Sequence, residues 1–360
     1  MEDESSLEIS FIIPVFNGEN SIEKSIGSIL KWNREPKIEI LVIDDGSTDG
    51  TLSLCKKIAK TDTRIKPFTI ENSGQSIARN YGMKQCTGKY IYFVDADDQV
   101  DTEEIFHMWE IAEKEKADVV MGSYFRVNGV QSERIHLAGE GFISRSGNTT
   151  EQALYHKVKT ESAFGYVWNK LYKKEFLDKN NLKMDDIRKV YMEDQLFNLK
   201  VWSKNPIWYC YDKPVYFYEI GNVSTTRKAE PQIHIKNLTM IDSLIAYLDA
   251  NRNLEENLDV LIPLIMRTFC WSLVKNIEYE GKNAAKIKER AKAYIASENI
   301  QRVIRMKGAV KVLWKLPSFL QAAFYSGCMV LIRLKWSGFV TFVFCFTYPI
   351  MKKYIFSVLK

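Results

Sequence analysis

Carboxylate side chains cluster directly after two short apolar segments. The sequence YIYFVDADD places Asp95, Asp97 and Asp98 after one segment, and IEILVIDDG places Asp44 and Asp45 after another. Carboxylates this close raise each other's pKa unless a Lys or Arg, a helix N-terminus or a metal ion lies among them. Asp95 and Asp97 are one residue apart and point to the same side of an extended chain. The spacing therefore predicts a site for Mn²⁺ or Mg²⁺, which takes oxygen ligands and commonly binds a diphosphate as well.

The elements that must position these clusters alternate between strands and helices. Apolar, β-rich runs predict strands over 8–13, 38–44, 65–70, 89–95 and 117–123, and the stretches between them predict helices near 20–32, 49–60, 74–86 and 102–116. This alternation predicts an α/β, doubly wound sheet, which binds ligands beyond the carboxyl ends of its strands. The segments PVFNGEN, DDGSTDG and DADD all follow strands, so we expect them to meet at one edge of the sheet.

The charged residues are unevenly distributed along the chain. Residues 301–360 contain ten of the 50 Lys and Arg residues and none of the 45 Asp and Glu residues. The remaining 40 basic and 45 acidic side chains give residues 1–300 a net charge of −5. Six cysteines without a CxxC pair argue against a zinc site and indicate a reducing compartment. The acidic, polar N-terminus is not typical of a signal peptide.

The second half of the chain changes to long helical patterns. We predict three domains: 1–230, which carries the clusters; 231–315, which is helical; and 316–360, a basic and aromatic tail. The tail has two apolar stretches that are short for spanning a bilayer but suit helices lying in its interface or a shallow re-entrant pair. A buried helix pair or a dimer interface is the alternative.

The carboxylate clusters belong to a longer ordered series of motifs. In order, the chain carries PVFNGEN, EILVIDDGSTDGT, ENSGQSIARNYG, YIYFVDADD, WNKLYKKE, MEDQLF and YFYEIGNVSTT. This series resembles the family-2 glycosyltransferases, particularly the bacterial enzymes that assemble surface polysaccharides and exopolysaccharides, and covers roughly residues 7–227. The resemblance implies the GT-A fold, a Rossmann-like, doubly wound mixed sheet, followed by a helical C-terminal region. It also implies a UDP-sugar donor and a glycan or lipid-linked oligosaccharide acceptor.

The resemblance implies a role for each residue of these motifs. Asp97 would bind the metal directly, and Asp95 would contact the ribose or the metal shell. Asp45 would accept a hydrogen bond from the uracil edge, whereas Asp44 would hold the turn. The whole nucleotide-sugar site would comprise Pro14, Phe16, Glu19, Asp45, Arg79, Asp95 and Ala96.

The acceptor side is implied by MEDQLF and WNKLY. Asp194 would be the general base that deprotonates the acceptor hydroxyl, and Glu193 would orient the acceptor or support the loop. Trp168 could stack on an acceptor sugar and Lys170 could meet a phosphate, although both could equally be packing residues. Displacement by one hydroxyl inverts the anomeric centre. Processive relatives carry QxxRW, which QRVIRMK does not match, so we expect a non-processive enzyme.

Two other functions remain as alternatives. A sugar nucleotidyltransferase would carry a Gly-rich basic loop after its first strand, which PVFNGENS lacks. An inactive, membrane-bound partner protein would have lost some of the polar residues that the chemistry needs, and none is missing. We expect no nucleic-acid partner, and we place the protein at the cytoplasmic face of the cell membrane.

Overall fold

The computed structural model describes residues 7–159, 162–220, 231–280, 283–316 and 318–346. These residues divide into two compact units, one with 7–188 and 192–220 and the other with 189–191 and the residues from 231 onward. The predicted boundary at residue 230 lies outside the described residues. The helices on both sides of residue 316 belong to the second unit.

The first unit contains one mixed sheet. Its strand order is β3-β2-β1-β4-β9-β6-β10-β5, with β7 paired to β6 and β8 paired to β10. Strands β1 to β4 are parallel, whereas β9 runs antiparallel between β4 and β6. The doubly wound mixed sheet that we expected is therefore confirmed. The strands in the described residues are β1 (Ile9–Val15), β2 (Ile38–Asp44), β3 (Ile65–Thr69), β4 (Tyr90–Phe93), β5 (Gln99–Val100), β6 (Val119–Asn128), β7 (Gln131–Ile135), β8 (Gly141–Ile143), β9 (Lys170–Lys173) and β10 (Trp208–Glu219).

Helices connect the strands of this sheet. The four helices predicted from the sequence are present as α1 to α4, each shorter than expected, and α4 begins where Asp101 accepts hydrogen bonds from the amides of Glu103 and Glu104. The helices of the first unit are α1 (Ile22–Ile29), α2 (Thr51–Ala59), α3 (Gln75–Gln85), α4 (Thr102–Glu115), α5 (Thr149–Val158), α6 (Ser162–Gly165), α7 (Lys174–Lys179) and α8 (Glu193–Trp202).

Strands β1 and β2 are buried on both faces, because helices cover the sheet on both sides. Glu39 is the buried charge in this core. Its carboxylate accepts hydrogen bonds from Ser10 Oγ at 2.6 Å, from the Thr87 amide at 2.7 Å and from Lys66 Nζ at 2.6 Å. These partners satisfy a charge that would otherwise be costly to bury.

The second unit is helical, as the sequence predicts. Its helices are α9 (Ile233–Ala250), α10 (Leu258–Glu280), α11 (Ala284–Ala296), α12 (Glu298–Ile304), α13 (Ala309–Leu313), α14 (Phe319–Arg333) and α15 (Ser337–Phe346), and a 3₁₀ turn at Glu255–Asn257 precedes α10. In the described residues, only the segment Glu255–Val274 is long and apolar enough to cross a membrane, with a mean hydropathy of 1.4. This segment is 72% buried inside the protein, which is typical of a core helix.

Candidate functional site

The loops that follow β1 and β2 are tied together by hydrogen bonds. Asn17 Oδ1 accepts from the Thr48 amide at 2.8 Å, and the Asn17 amide donates to Ser47 Oγ at 2.9 Å. Glu19 Oε2 accepts from the Gly50 amide at 2.7 Å. PVFNGEN and DDGSTDG therefore meet at the carboxyl edge of the sheet, as the strand pattern predicts.

Residues expected around the nucleoside lie at this edge. Phe16 exposes 51% of its surface, so its ring is available for stacking, whereas Pro14 lies in buried β1 beside Ile43. Ala96 lies beside the loop that follows β1. A β-carbon added to Gly18 in this loop would be 4.0 Å from the β-carbon of Ala96.

Asp44 and Asp45 both bind neighbouring turns. Asp44 accepts from the Ser47 amide at 3.2 Å, which is the turn-holding contact expected of it. Asp45 is buried, and its two oxygens accept from the amides of Ser73 and Gly74 at 2.7 and 2.8 Å. Gly74 has φ of 91°, a left-handed conformation that favours glycine. A contact between Asp45 and a uracil edge would have to use the remaining lone pair of one of these oxygens.

Arg79 connects the two acidic motifs. Its guanidinium is buried on α3, where Nη2 donates to Asp95 Oδ1 at 2.7 Å and Nη1 donates to Asp194 Oδ1 at 2.7 Å. Nη1 also lies 3.6 Å from Glu193 Oε1. The positive charge among these three carboxylates is therefore an arginine. The resemblance placed Arg79 at the nucleotide; the structure places it between the DADD turn and the MEDQLF helix.

The MEDQLF segment begins a helix, as predicted. Helix α8 starts at Glu193, directly after Met192, which has the left-handed angles φ 62° and ψ 51°. A non-glycine residue in this conformation is strained, and such strain concentrates at functional sites. Glu193 is buried and accepts from Gln75 Nε2 at 2.6 Å.

Asp194 has the environment of a general base. Burial raises the pKa of its carboxyl group to about 7, Arg79 opposes that rise, and the charges of Glu193 and Asp95 add to it. A base is most effective when its pKa is near the working pH. Its side chain keeps 20% of its surface exposed to solvent.

Helix α3 also holds the segment that leads to α8. Asn80 Nδ2 donates to the Met184 carbonyl at 2.9 Å, and Asn80 Oδ1 accepts from the Met184 amide at 2.9 Å. Ser76 Oγ accepts from the Ile187 amide at 3.1 Å. Neither of these two polar residues of SIARN was expected from the sequence to hold this segment. Their spacing from Arg79, which puts all three on one helical face, was the available signal.

The DADD turn is fixed by β10. Tyr216 Oη accepts from the Asp95 amide at 2.9 Å and donates to Asp98 Oδ2 at 2.9 Å. Asp98 Oδ1 also accepts from the Glu219 amide at 2.8 Å. Burial and the charges of Asp95 and Asp97 raise the pKa of Asp98 to about 9. Asp98 therefore supports the turn.

The remaining carboxylates of the turn suit a hard cation. Asp97 is exposed and has no side-chain partner among the described residues, and partial desolvation together with the charge of Asp95 raises its pKa. Asp95 uses one oxygen for Arg79. No group of three or more His, Cys, Asp or Glu in the described part of the chain could hold a metal alone. Mg²⁺ commonly binds through one or two carboxylates and takes its other ligands from water and phosphate. The pair fits that pattern.

Trp168 and Lys170 lie inside the protein. Trp168 is 3% exposed and stacks between Tyr166 and Tyr216, with ring centroids 4.5 and 4.3 Å away. Lys170 is fully buried, and Nζ donates to the Ala163 carbonyl at 2.7 Å, to Asn169 Oδ1 at 2.8 Å and to the Tyr166 carbonyl. These contacts favour the packing alternative over the acceptor role for both residues.

Comparison with known proteins agrees with the motifs. The sequence model of Glycosyl transferase family 2 matches residues 10–180. Residues 10–180 therefore carry a family-2 glycosyltransferase domain. The resemblance drawn from the ordered motifs is thereby confirmed.

Two curated relatives each match 61% of this chain. Glycosyltransferase GlyA of Streptococcus pneumoniae is 31% identical over 226 residues, which are 61% of this chain and 32% of that protein. The uncharacterized glycosyltransferase EpsJ of Bacillus subtilis is 32% identical over 220 residues, 61% of this chain and 62% of that protein. The matches thus span less than two thirds of these relatives.

A solved structure shares the fold of this chain. The crystal structure of S. aureus TarS residues 1–349 in complex with UDP-GlcNAc has a TM-score of 0.66 at 20% identity, over 91% of this chain and 89% of that chain. The likeness confirms the fold that we expected.

Proposed function

We propose that the protein is an inverting, non-processive glycosyltransferase that moves a sugar from a UDP-sugar to a glycan acceptor in cell-surface or exopolysaccharide synthesis. The observation that carries this proposal is the joining of the two acidic motifs by Arg79, at 2.7 Å to Asp95 and 2.7 Å to Asp194. A donor-side carboxylate and a candidate base are thereby held at one edge of the sheet. The TarS structure, which was solved with UDP-GlcNAc, supports the choice of donor.

On the donor side, the exposed ring of Phe16 would stack on the nucleoside and Asp45 would bind the uracil edge. Asp97 and Asp95 would hold Mn²⁺ or Mg²⁺, and such an ion, when bound, supplies positive charge near a leaving diphosphate. Tyr216 and Asp98 keep in place the turn that carries Asp97.

On the acceptor side, Asp194 would take the proton from the attacking hydroxyl. Its Oδ1 is held by Arg79, so its second oxygen is the one available to the acceptor. Attack by this hydroxyl on the anomeric carbon opposite the leaving group inverts the configuration there. Glu193, which Gln75 and Arg79 hold, would support the start of α8. Trp168 and Lys170 would support the site from inside.

We further propose that the protein works at the cytoplasmic face of the cell membrane, held there by residues 316–360. Residue 317 and residues 347–360 of this tail lie outside the described residues. A lipid-linked acceptor would make such attachment useful, because enzyme and acceptor would share one surface.

The test is turnover of UDP-sugars, starting with UDP-GlcNAc, with Mn²⁺, with Mg²⁺ and with excess chelator. We expect metal-dependent release of UDP, and a loss of roughly 10² or more in turnover for Asp194→Asn, which is the scale of a lost general base. UDP binding by that variant should stay near normal. Asp62→Asn, which removes the carboxylate paired with Arg64, is the matched control. Full turnover by Asp194→Asn, or no turnover of any UDP-sugar, would overturn the proposal.

A further inference from the structure

The last two described helices have apolar residues on both faces. On α15, Val340 and Phe344 are buried, while Phe339, Phe342 and Phe346 expose 51%, 63% and 77% of their surface. Buried and exposed positions alternate with helical spacing, so one face packs inward and the other faces out. An outward face of a helix in a water-soluble protein is normally polar. Here it is aromatic.

Helix α14 repeats this pattern. Its exposed residues are Phe319, Leu320, Gly327 and Val330, and none of them is polar or charged. By contrast, the exposed residues of α1 include Glu23. Contiguous exposed apolar surface of this kind marks an interaction site more often than chance exposure does.

The exposed rings form a continuous row. Trp336, in the turn between α14 and α15, lies 6.3 Å from Phe339, which lies 6.4 Å from Phe342, which lies 6.1 Å from Phe346, all measured between ring centroids. We call these four residues the aromatic row. Trp336 is 56% exposed, so the row extends from the turn to the end of α15.

Every charged side chain of residues 301–346, the segment that carries the aromatic row, is positive. Lys311, Lys315 and Lys335 are exposed, and none has an acidic partner among the described residues. Residues 301–360 contain no Asp or Glu at all. A partner protein whose surface carries charges of both signs would not require a segment without acidic residues, whereas an anionic lipid surface attracts each exposed lysine.

We propose that the aromatic row and the outward face of α14 insert into the interface of an anionic lipid bilayer, with Lys311, Lys315 and Lys335 bound to lipid headgroups. The helices would lie in the interface, because α14, with 15 residues, falls short of the roughly 20 that a spanning helix needs, and the buried Val340 and Phe344 hold one face of α15 against the protein. The inference rests on the membrane attachment proposed above and is independent of the transfer reaction.

The test is sedimentation of the full chain with vesicles of phosphatidylcholine alone and of phosphatidylcholine with phosphatidylglycerol. We expect binding to the anionic vesicles that high salt weakens only in part, because apolar insertion is not screened. Point substitutions are preferable to truncation, since Phe344 packs against Phe269 of α10 at 5.9 Å and removing α15 would uncover the core.

Two sets of variants separate the apolar and ionic contributions. Replacing the three Phe residues of the aromatic row with Ser should weaken binding to both vesicle types at least tenfold. Replacing the three lysines with Gln should weaken binding to anionic vesicles by roughly fivefold per lysine, since each adds on the order of 1 kcal/mol. The matched controls are Val130→Ser, Ile207→Ser and Ile235→Ser, which remove exposed apolar residues elsewhere, and Lys56→Gln, Lys57→Gln and Lys84→Gln.

The outcomes are distinct. Loss of vesicle binding in the two test sets but not in the controls supports the inference, whether or not any UDP-sugar is turned over. Wild-type protein that stays in the supernatant overturns it. So does a wild-type dimer that the Phe variants convert to monomer without vesicle binding, because the aromatic row would then be a contact between two copies of the chain.

Discussion

Removal of the Arg79 guanidinium should move the pH dependence of turnover. In Arg79→Gln, Asp95, Glu193 and Asp194 lose the guanidinium that pairs with all three of them. Burial and the neighbouring carboxylates already raise the pKa of Asp194, and Arg79 opposes them. Without that opposition the pKa of Asp194 rises further. A base must be ionised to accept a proton, so the active fraction at pH 7 falls.

The size of this effect can be worked out from the contact. Two unit charges about 4 Å apart at an effective dielectric constant of about 20 interact by about 4 kcal/mol, a factor of about 10³ in the protonation equilibrium. Two effects offset part of this change in the protonation equilibrium. One is the charge of the buried Lys170, which also favours ionised Asp194, and the other is the entry of water. We therefore expect turnover at pH 7 to fall between roughly tenfold and a hundredfold, with partial recovery at pH 9.

The assay is the pH profile of kcat between pH 6 and 9.5 with saturating UDP-sugar. Wild-type turnover should rise through about pH 7, the pKa of Asp194, and the rise of the Arg79→Gln variant should lie at higher pH. Arg79→Lys keeps the charge but not the two-pronged donor geometry, so its profile should stay nearer the wild type at lower turnover. Arg64→Gln, which breaks the pair with Asp62, is the control. An unshifted profile in Arg79→Gln would refute the role of Arg79 in holding the base.

Three further predictions follow from single residues. Asp97→Asn should lower turnover by roughly 10² and raise the metal concentration needed, without changing thermal unfolding, because Asp97 is exposed; wild-type metal titration in this variant would contradict the metal role. Glu39→Gln should lower the free energy of unfolding by roughly 2–4 kcal/mol at pH 7. Hydrogen bonds from Lys66 and Ser10 outweigh burial and hold the pKa of Glu39 below its ordinary 4.5, so this stabilisation is complete above pH 4.5 and is lost as pH falls through the lowered pKa. Urea unfolding should show a smaller difference in the free energy of unfolding between variant and wild type at pH 4 than at pH 7, and an equal difference at both pH values would contradict this. Lys170→Met should lower the free energy of unfolding by roughly 1–3 kcal/mol, because carbonyls at Ala163 and Tyr166 lose their donor, and UDP affinity should not change; the reverse result would mean that Lys170 contacts a phosphate.

The sequence by itself determined the fold class and the sheet edge at which the candidate site lies. Strands β1 and β2 are apolar at most positions, which is typical of a parallel sheet covered on both faces. Polar clusters that follow such strands must meet at one edge, and the loops after β1 and β2 do so through Asn17 and Glu19. These inferences depend on short-range patterns and on a general rule of sheet topology, so one sequence was enough. The same holds for the start of α8 at Glu193.

Only the tertiary structure decided which residues partner each carboxylate. Arg79 and Asp194 are 115 positions apart, and Tyr216 and Asp98 are 118 positions apart. Contacts at such separations depend on how strands β4, β9 and β10 pack, and no local pattern encodes that packing. For the same reason the sequence could not show that Trp168 and Lys170 are buried. The residue type alone does not tell whether an aromatic or a basic side chain lies in the core or at the surface. The local pattern fixes which residue types reach the edge of the sheet, whereas the packing of distant segments fixes which charges lie together there.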